Sequence, residues 1–145
     1  MKVKVKKLDA RATLPTYGSP QAAGADLYAL IEGESLEIAV GETKLIGTGL
    51  AFEIPEGYVG LVYARSGLAT KRGLAPANKV GVIDSDYRGE LKVALYNQSG
   101  LPQSISAGER IAQLVIAPYL TASFEEATEL ADSARGAGGF GSTGK

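Results

Sequence analysis

The chain has 145 residues, 45% of them hydrophobic and 21% charged, with 15 Lys+Arg against 16 Asp+Glu for a formal net charge of -1. That length suits one globular domain burying roughly 70% of the surface its unfolded chain would expose, which argues against a natively disordered chain. With neither Cys nor His in the sequence, there is no disulfide framework, thiolate or imidazole metal cage, cysteine nucleophile or imidazole base, so any chemistry uses oxygen and amine groups. The near-zero charge argues against a dedicated nucleic-acid surface and leaves small anions as eligible ligands.

The N-terminal stretch Met1–Leu8 lacks the apolar core of a signal peptide, and no apolar run is long enough to cross a bilayer, so a soluble, cytoplasmic protein is expected. Val3 and Val5 alternate with Lys2, Lys4 and Lys6, as in a half-buried strand with a solvated lysine face. Residues 14–24 carry too much Pro and Gly for a regular element, and a strand resumes at Ala25. Short apolar units follow at Leu36/Ile38/Val40, Leu45 to Ile54, Tyr58 to Tyr63, Val80 to Ile83, Leu91/Val93/Leu95 and Ile111 to Ile116, separated by turn signals. Such spacing predicts an all-β barrel or sandwich of short strands. Leu68 to Leu74 suits one or two helical turns, and Phe124, Ala127, Leu130 and Ala131 also fall at helix spacing. The last eleven residues contain five glycines, so the tail from about residue 134 is expected to be mobile unless something holds it.

Four segments carry chemistry-bearing residues. In Ala64-Arg65-Ser66-Gly67-Leu68-Ala69, a guanidinium, a hydroxyl and a Gly-exposed amide follow a strand, which suits either a phosphate cradle or an ordinary surface turn. Gly81-Val82-Ile83-Asp84-Ser85-Asp86-Tyr87-Arg88-Gly89-Glu90 reads as a hairpin with a polar tip. Its aspartates either shape the turn or orient and deprotonate water, with Asp84, beside apolar Val82-Ile83, the better base. Gln113 interrupts an apolar run, either covering an exposed strand face or meeting a ligand. Phe140 stands among glycines with Arg135 before it and Ser142-Thr143 after, which suits a flap folding over an anion that carries a flat ring, where base stacking is worth roughly 1–3 kcal/mol.

Taken in order, Ala23 to Ala29, Ala64 to Ala69, Gly81 to Glu90, Gly108 to Leu114 and Arg135 to Gly144 closely resemble the five motifs of trimeric deoxyuridine triphosphatases. The resemblance implies an enzyme that hydrolyses dUTP to dUMP and pyrophosphate with Mg2+ bound, limiting uracil incorporation into DNA and supplying dUMP for dTMP synthesis. It implies a jelly-roll-like β fold and a homotrimer whose sites are shared between subunits, with no nucleic-acid or membrane partner. Asp84 resembles the aspartate that activates the attacking water, and Tyr87 the tyrosine that packs on the deoxyribose. Arg65, Ser66, Gly67 and Gln113 are similar to phosphate-holding groups. Asn78 and the backbone from Gly81, Val82 and Ile83 to Leu91 and Lys92 resemble the uracil-recognising segment. Arg135, Phe140, Gly141, Ser142 and Thr143 match the closing motif, implying a lid over residues 134–145. Asp26 matches a first-motif aspartate near the metal's water shell. The resemblance also implies extended or irregular chain at 122–134, against the helix spacing there. A related deaminase acting on dCTP and a non-catalytic nucleotide-binding β trimer share enough of the pattern to stand as alternatives.

Overall fold

The computed structural model describes residues 1–140, which form eleven strands and one short helix. A four-stranded antiparallel sheet runs in the order β1 (Lys4–Lys7), β5 (Thr43–Glu53), β9 (Glu90–Asn97), β7 (Leu74–Pro76). A five-stranded antiparallel sheet runs β2 (Thr16–Tyr17), β3 (Ala25–Tyr28), β11 (Arg110–Pro118), β6 (Tyr58–Tyr63), β8 (Gly81–Ile83). A small ladder pairs β10 (Gln103–Ser106) with β4 (Ser35–Ile38), and α1 (Ser66–Arg72) lies between β6 and β7 in the chain.

The alternation of apolar residues sets which side of each strand is buried. In β9, Leu91, Val93, Leu95 and Asn97 are buried while Lys92 is exposed. Leu27 from β3, Ile38 from β4, Ile46 and Leu50 from β5, Leu95 from β9, Ile105 from β10 and Ile111 from β11 meet in one cluster that joins all three sheets. Each such Leu or Ile stabilises the fold by roughly 1.5–3 kcal/mol through burial. This closure of antiparallel sheets around a shared core is the expected jelly-roll-like architecture.

Most of the apolar units become strands, and Val5 is half-buried against the core with Lys4, Lys6 and Lys7 exposed around it. Three short strands have no signal in the alternation. Two-residue β2 lies within the Pro/Gly-rich loop, β7 ends in Pro76, tolerated because β7 is an edge, and β10 buries only Ile105. The helical turns at Leu68 form α1, which ends at Gly73 in the left-handed conformation (φ 65°), its N–H bonding to the carbonyls of Ala69 and Leu68. No regular element forms between Tyr119 and Phe140, where Leu120, Phe124 and Leu130 are 97%, 96% and 89% exposed. A short helix there has no surface to pack on, so its period goes unused.

The hairpin expected at Gly81–Glu90 does not form. Among the described residues β8 pairs with β6 alone, whereas β9 lies between β5 and β7 in the other sheet. The reason sits at the start of β9, where the Glu90 carboxylate accepts the Gly49 N–H at 2.9 Å, at a register shift in β5, and ties β9 to β5. The segment is therefore a corner that crosses between sheets.

Elsewhere, Arg11 bridges Asp9 (2.7 Å) and Glu32 (2.8 Å) on the surface and draws the Asp9 carboxyl down to about 2. The small stability this contributes is present above the ordinary carboxylate range and is lost as pH falls through about 2. Deeper in, fully buried Asn97 donates to the carbonyls of Ile38 (3.0 Å) and Leu101 (2.8 Å) and accepts from the Ser99 N–H (2.9 Å) and hydroxyl (2.7 Å). Asn97→Ala leaves those groups without a partner, and urea unfolding should show a loss of at least about 2 kcal/mol.

Candidate active site

The five-stranded sheet places Asp26 of β3 and Gln113 of β11 directly opposite each other, so their side chains emerge on one face. Tyr63, the last residue of β6, is the next partner of Gln113, and the chain then turns through Ala64 and Arg65 into α1. Gln113 secures that turn by donating Nε2–H to the Ala64 carbonyl at 2.8 Å. Gly24 makes room for it, since a Cβ there would stand 2.4 Å from Gln113 Oε1. The interruption in the apolar run is thus a side chain that holds the neighbouring loop.

Asp26 is 8% exposed, and both of its oxygens are engaged: Oδ1 accepts from Arg65 Nε at 2.8 Å and Oδ2 from Arg110 Nη1 at 3.1 Å. Arg65 Nη1 also reaches the Arg110 carbonyl at 3.4 Å. Beside them Arg72, in the last turn of α1, pairs with Glu109 and the Ser104 carbonyl. These groups, with Ser66, Gly67 and Lys71, line a cleft of about 470 Å³. Arg65, Lys71, Arg72 and Arg110 outnumber Asp26 and Glu109, so the cleft is cationic and suits a polyanion. Among the described residues nothing requires glycine at 67, because a Cβ there would meet no atom within 4 Å. Lys71, Arg72, Glu109 and Arg110 are lining residues that the sequence reading did not single out. Glu109 and Arg110 lie within the Gly108–Leu114 segment, and Lys71 and Arg72 fall one turn beyond Leu68 in the helical stretch.

A second cleft, of about 310 Å³, lies where β8 and β9 part and is lined by Val82, Ile83, Asp84, Tyr87, Leu91 and Lys92, with Leu45 and Glu90. Since β8 bonds to β6 on one edge and β7 covers β9 only from Leu95 to Asn97, main-chain donors and acceptors along the other edge of β8, and along the edge of β9 away from β5 at its start, have no strand partner among the described residues. Gly81 is buried, and a Cβ there would stand 3.1 Å from both Val62 Cβ and Asn78 Nδ2, which puts Asn78 beside the start of β8. Asp84 is exposed just past Ile83, and its carbonyl accepts the Tyr87 N–H at 3.2 Å. The exposed Tyr87 donates its hydroxyl to the Glu90 carbonyl at 3.0 Å.

The two clefts share no lining residue. Ile83 is paired with Gly60 near the start of β6, and Arg65 stands five residues further along the chain (65 against 60). At about 3.3 Å per extended residue the two lie at most roughly 17 Å apart along the backbone. In the tail, Arg135 Nε donates to the Gly138 carbonyl at 2.8 Å, and Phe140 is fully exposed with a left-handed backbone (φ 51°). Neither reaches either cleft of its own chain. Gly141, Ser142 and Thr143 lie outside the described residues. Among the described residues no three of His, Cys, Asp or Glu gather as a metal cage, and no helix is long and apolar enough to cross a membrane.

The dUTPase family model matches residues 10–144. The chain belongs to the dUTPase family. It is 54% identical to a deoxyuridine 5'-triphosphate nucleotidohydrolase of Nautilia profundicola across 100% of both chains. It is 46% identical to the corresponding Thermobifida fusca protein, covering 99% of this chain and 79% of that one. Among solved structures, a mutant dUTPase of Staphylococcus bacteriophage 80alpha with dUpNHpp superposes at TM-score 0.90, 31% identity and 99% coverage of both chains. A mutant dUTPase from phage phi11 of S. aureus, described with a structural Mg(II) ion, matches at TM-score 0.81 and 26% identity over 91% of this chain and 100% of that one. Within this dUTPase-family fold the cationic cleft makes a direct prediction. Arg65→Ala removes a charge-assisted contact of about 1.5–3 kcal/mol, so titration calorimetry should show inorganic triphosphate binding weakened about ten-fold or more. Lys44→Ala, outside both clefts, should leave it unchanged.

Proposed function

We propose that this chain hydrolyses dUTP to dUMP and pyrophosphate, with Asp84 orienting and deprotonating a water directed at the α-phosphorus. The observation that carries this reading is the pair of complementary clefts, one cationic and one bounded by open main-chain edges with an aspartate and a tyrosine at its mouth. Such an activity limits uracil incorporation into DNA and supplies dUMP for dTMP synthesis.

The slot between β8 and β9 receives the nucleoside. Uracil presents acceptor, donor and acceptor atoms along its edge, whereas cytosine presents acceptor, acceptor and donor, so rigid N–H and C=O groups leave mismatched partners unpaired with the wrong base. Asn78, beside the start of β8, assists in reading that edge. A tyrosine ring at position 87 packs on the deoxyribose and occupies the space into which a 2′-hydroxyl would project. Asp84 is exposed at the mouth of the same slot, where an attacking water is within its reach.

Arg65, Ser66, Gly67 and Gln113 hold the phosphates, and phosphoryl transfer asks the protein mainly for such positioning and charge. Mg2+, an oxygen-preferring ion, supplies charge neutralisation on the triphosphate and suits a chain without Cys or His. Asp26 would hold it only through the ion's water shell, since its own oxygens accept from Arg65 and Arg110.

On one chain the nucleoside slot and the cationic cleft have no lining residue in common. That separation favours a homotrimer in which Asp84 of one subunit meets Arg65 of another. The tail, through Arg135, Phe140, Gly141, Ser142 and Thr143, closes over a neighbour's nucleotide as a lid, stacking on the base and touching phosphates.

Asp84→Asn should keep nucleotide binding and lower pyrophosphate release from dUTP by about 10²–10⁴-fold; undiminished turnover would reassign the base. Subunits carrying Asp84→Asn and subunits carrying Arg65→Ala, each impaired alone, should recover activity above that of either when unfolded together and refolded as mixtures. No recovery in such mixtures would place the complete site within one chain.

A further inference from the structure

The Tyr87 side chain lies directly over Gly89. A Cβ built at Gly89 would stand 2.4 Å from the Tyr87 hydroxyl oxygen, 2.6 Å from Cζ and 3.0 Å from Cε2. All three of its nearest neighbours belong to that one ring. Unlike Gly73, Gly89 is not held in a left-handed backbone, so what glycine provides here is space beneath the tip of the Tyr87 side chain. That same end of the ring is held by the hydrogen bond from its hydroxyl to the Glu90 carbonyl at 3.0 Å. The loop beneath is secured by Arg88, whose Nη1 donates to the carbonyls of Ser85 (2.6 Å) and Tyr87 (3.1 Å). A ring pinned at its tip above a bare backbone has one height available to it.

We propose that Gly89 is a specificity-determining positioning residue: by offering no side chain, it lets the Tyr87 ring lie at the height that excludes a ribose 2′-hydroxyl. This rests on the reading of Tyr87 as the sugar filter. Gly89 touches no substrate and acts only through the ring. Adding a methyl group at 89 lifts the ring, breaks the bond to the Glu90 carbonyl and opens room beside C2′. Base choice, read by main-chain groups along β8 and the start of β9, stays as it was. A small steric device of this kind discriminates by roughly 10–200-fold, the range available to one methylene-sized difference.

The test compares kcat/KM for dUTP, UTP and dCTP in G89A, Y87A and the double variant. G89A should raise the UTP/dUTP ratio about ten-fold or more and leave the dCTP/dUTP ratio unchanged. Y87A should raise the UTP/dUTP ratio at least as far, and G89A should add nothing in the Y87A background, since the two changes remove one device. An unchanged UTP/dUTP ratio in G89A, with a raised one in Y87A, would overturn the proposal and leave the sugar filter standing. An unchanged ratio in Y87A would overturn the filter and the proposal together. Equal rises in the UTP and dCTP ratios of G89A would also overturn it, because general loosening of the slot would then be the cause. If G89A alone does not fold, the double variant should recover the thermal midpoint of Y87A, since the added methyl meets nothing nearer than the ring. A double variant that also fails to fold would overturn the proposal.

Discussion

The site depends on two neighbouring strands that do not pair. β8 closes the five-stranded sheet and β9 sits inside the four-stranded one, and the residues between them span the corner. Glu90 enforces the divergence: its carboxylate accepts the Gly49 N–H and lies where a Cβ at Gly47 would come within 2.4 Å of it. An open backbone edge on a protein surface is ordinarily a liability, because it invites another chain to pair with it. Here the exposed donors and acceptors border a cleft too small for a strand and suited to a flat ring. Water satisfies them in the free protein, so a ligand gains only where its own pattern matches.

The cationic cleft follows a different logic. Asp26 carries the negative charge that lets two guanidiniums stand close together, and its pair with part-buried Arg65 is less screened by solvent than its pair with half-exposed Arg110. A buried carboxylate paired on both sides orients Arg65 and Arg110 before any anion arrives, so little reorganisation remains when one binds. Gly24 belongs to the same device at one remove, since it clears the space from which Gln113 holds the Ala64 carbonyl.

Much of this was legible in the sequence. Alternating apolar residues marked the long strands; the Arg-Ser-Gly turn stood out by following a strand, Asp84 by its polar tip beside Val82-Ile83 and Gln113 by interrupting an apolar run, whereas Tyr87 was marked only by the family resemblance. Strands of two to four residues with one buried side chain, such as β10, carry too few positions for a period to register. The parting of β8 and β9 was invisible for another reason: local spacing between two apolar strands is the same whether they pair with each other or with strands far away in the chain. Arg110 was overlooked because its significance comes from Asp26, 84 residues earlier in sequence. The helix period near Phe124 goes unused, as the resemblance implied, because periodicity records what a segment is able to do and packing decides whether it does so.

The stretch after β11 has a consequence for how chains behave before they meet. Phe124 and Leu130 are almost wholly solvated, which in an extended backbone is the composition that seeds sticky encounters between copies. Glu125, Glu126, Glu129 and Asp132 are interleaved with them. When two such arms approach each other, like charges repel before the apolar groups touch, as gatekeeper residues do beside hydrophobic strands. The arm's own acidity therefore opposes its pairing with the same segment of another copy.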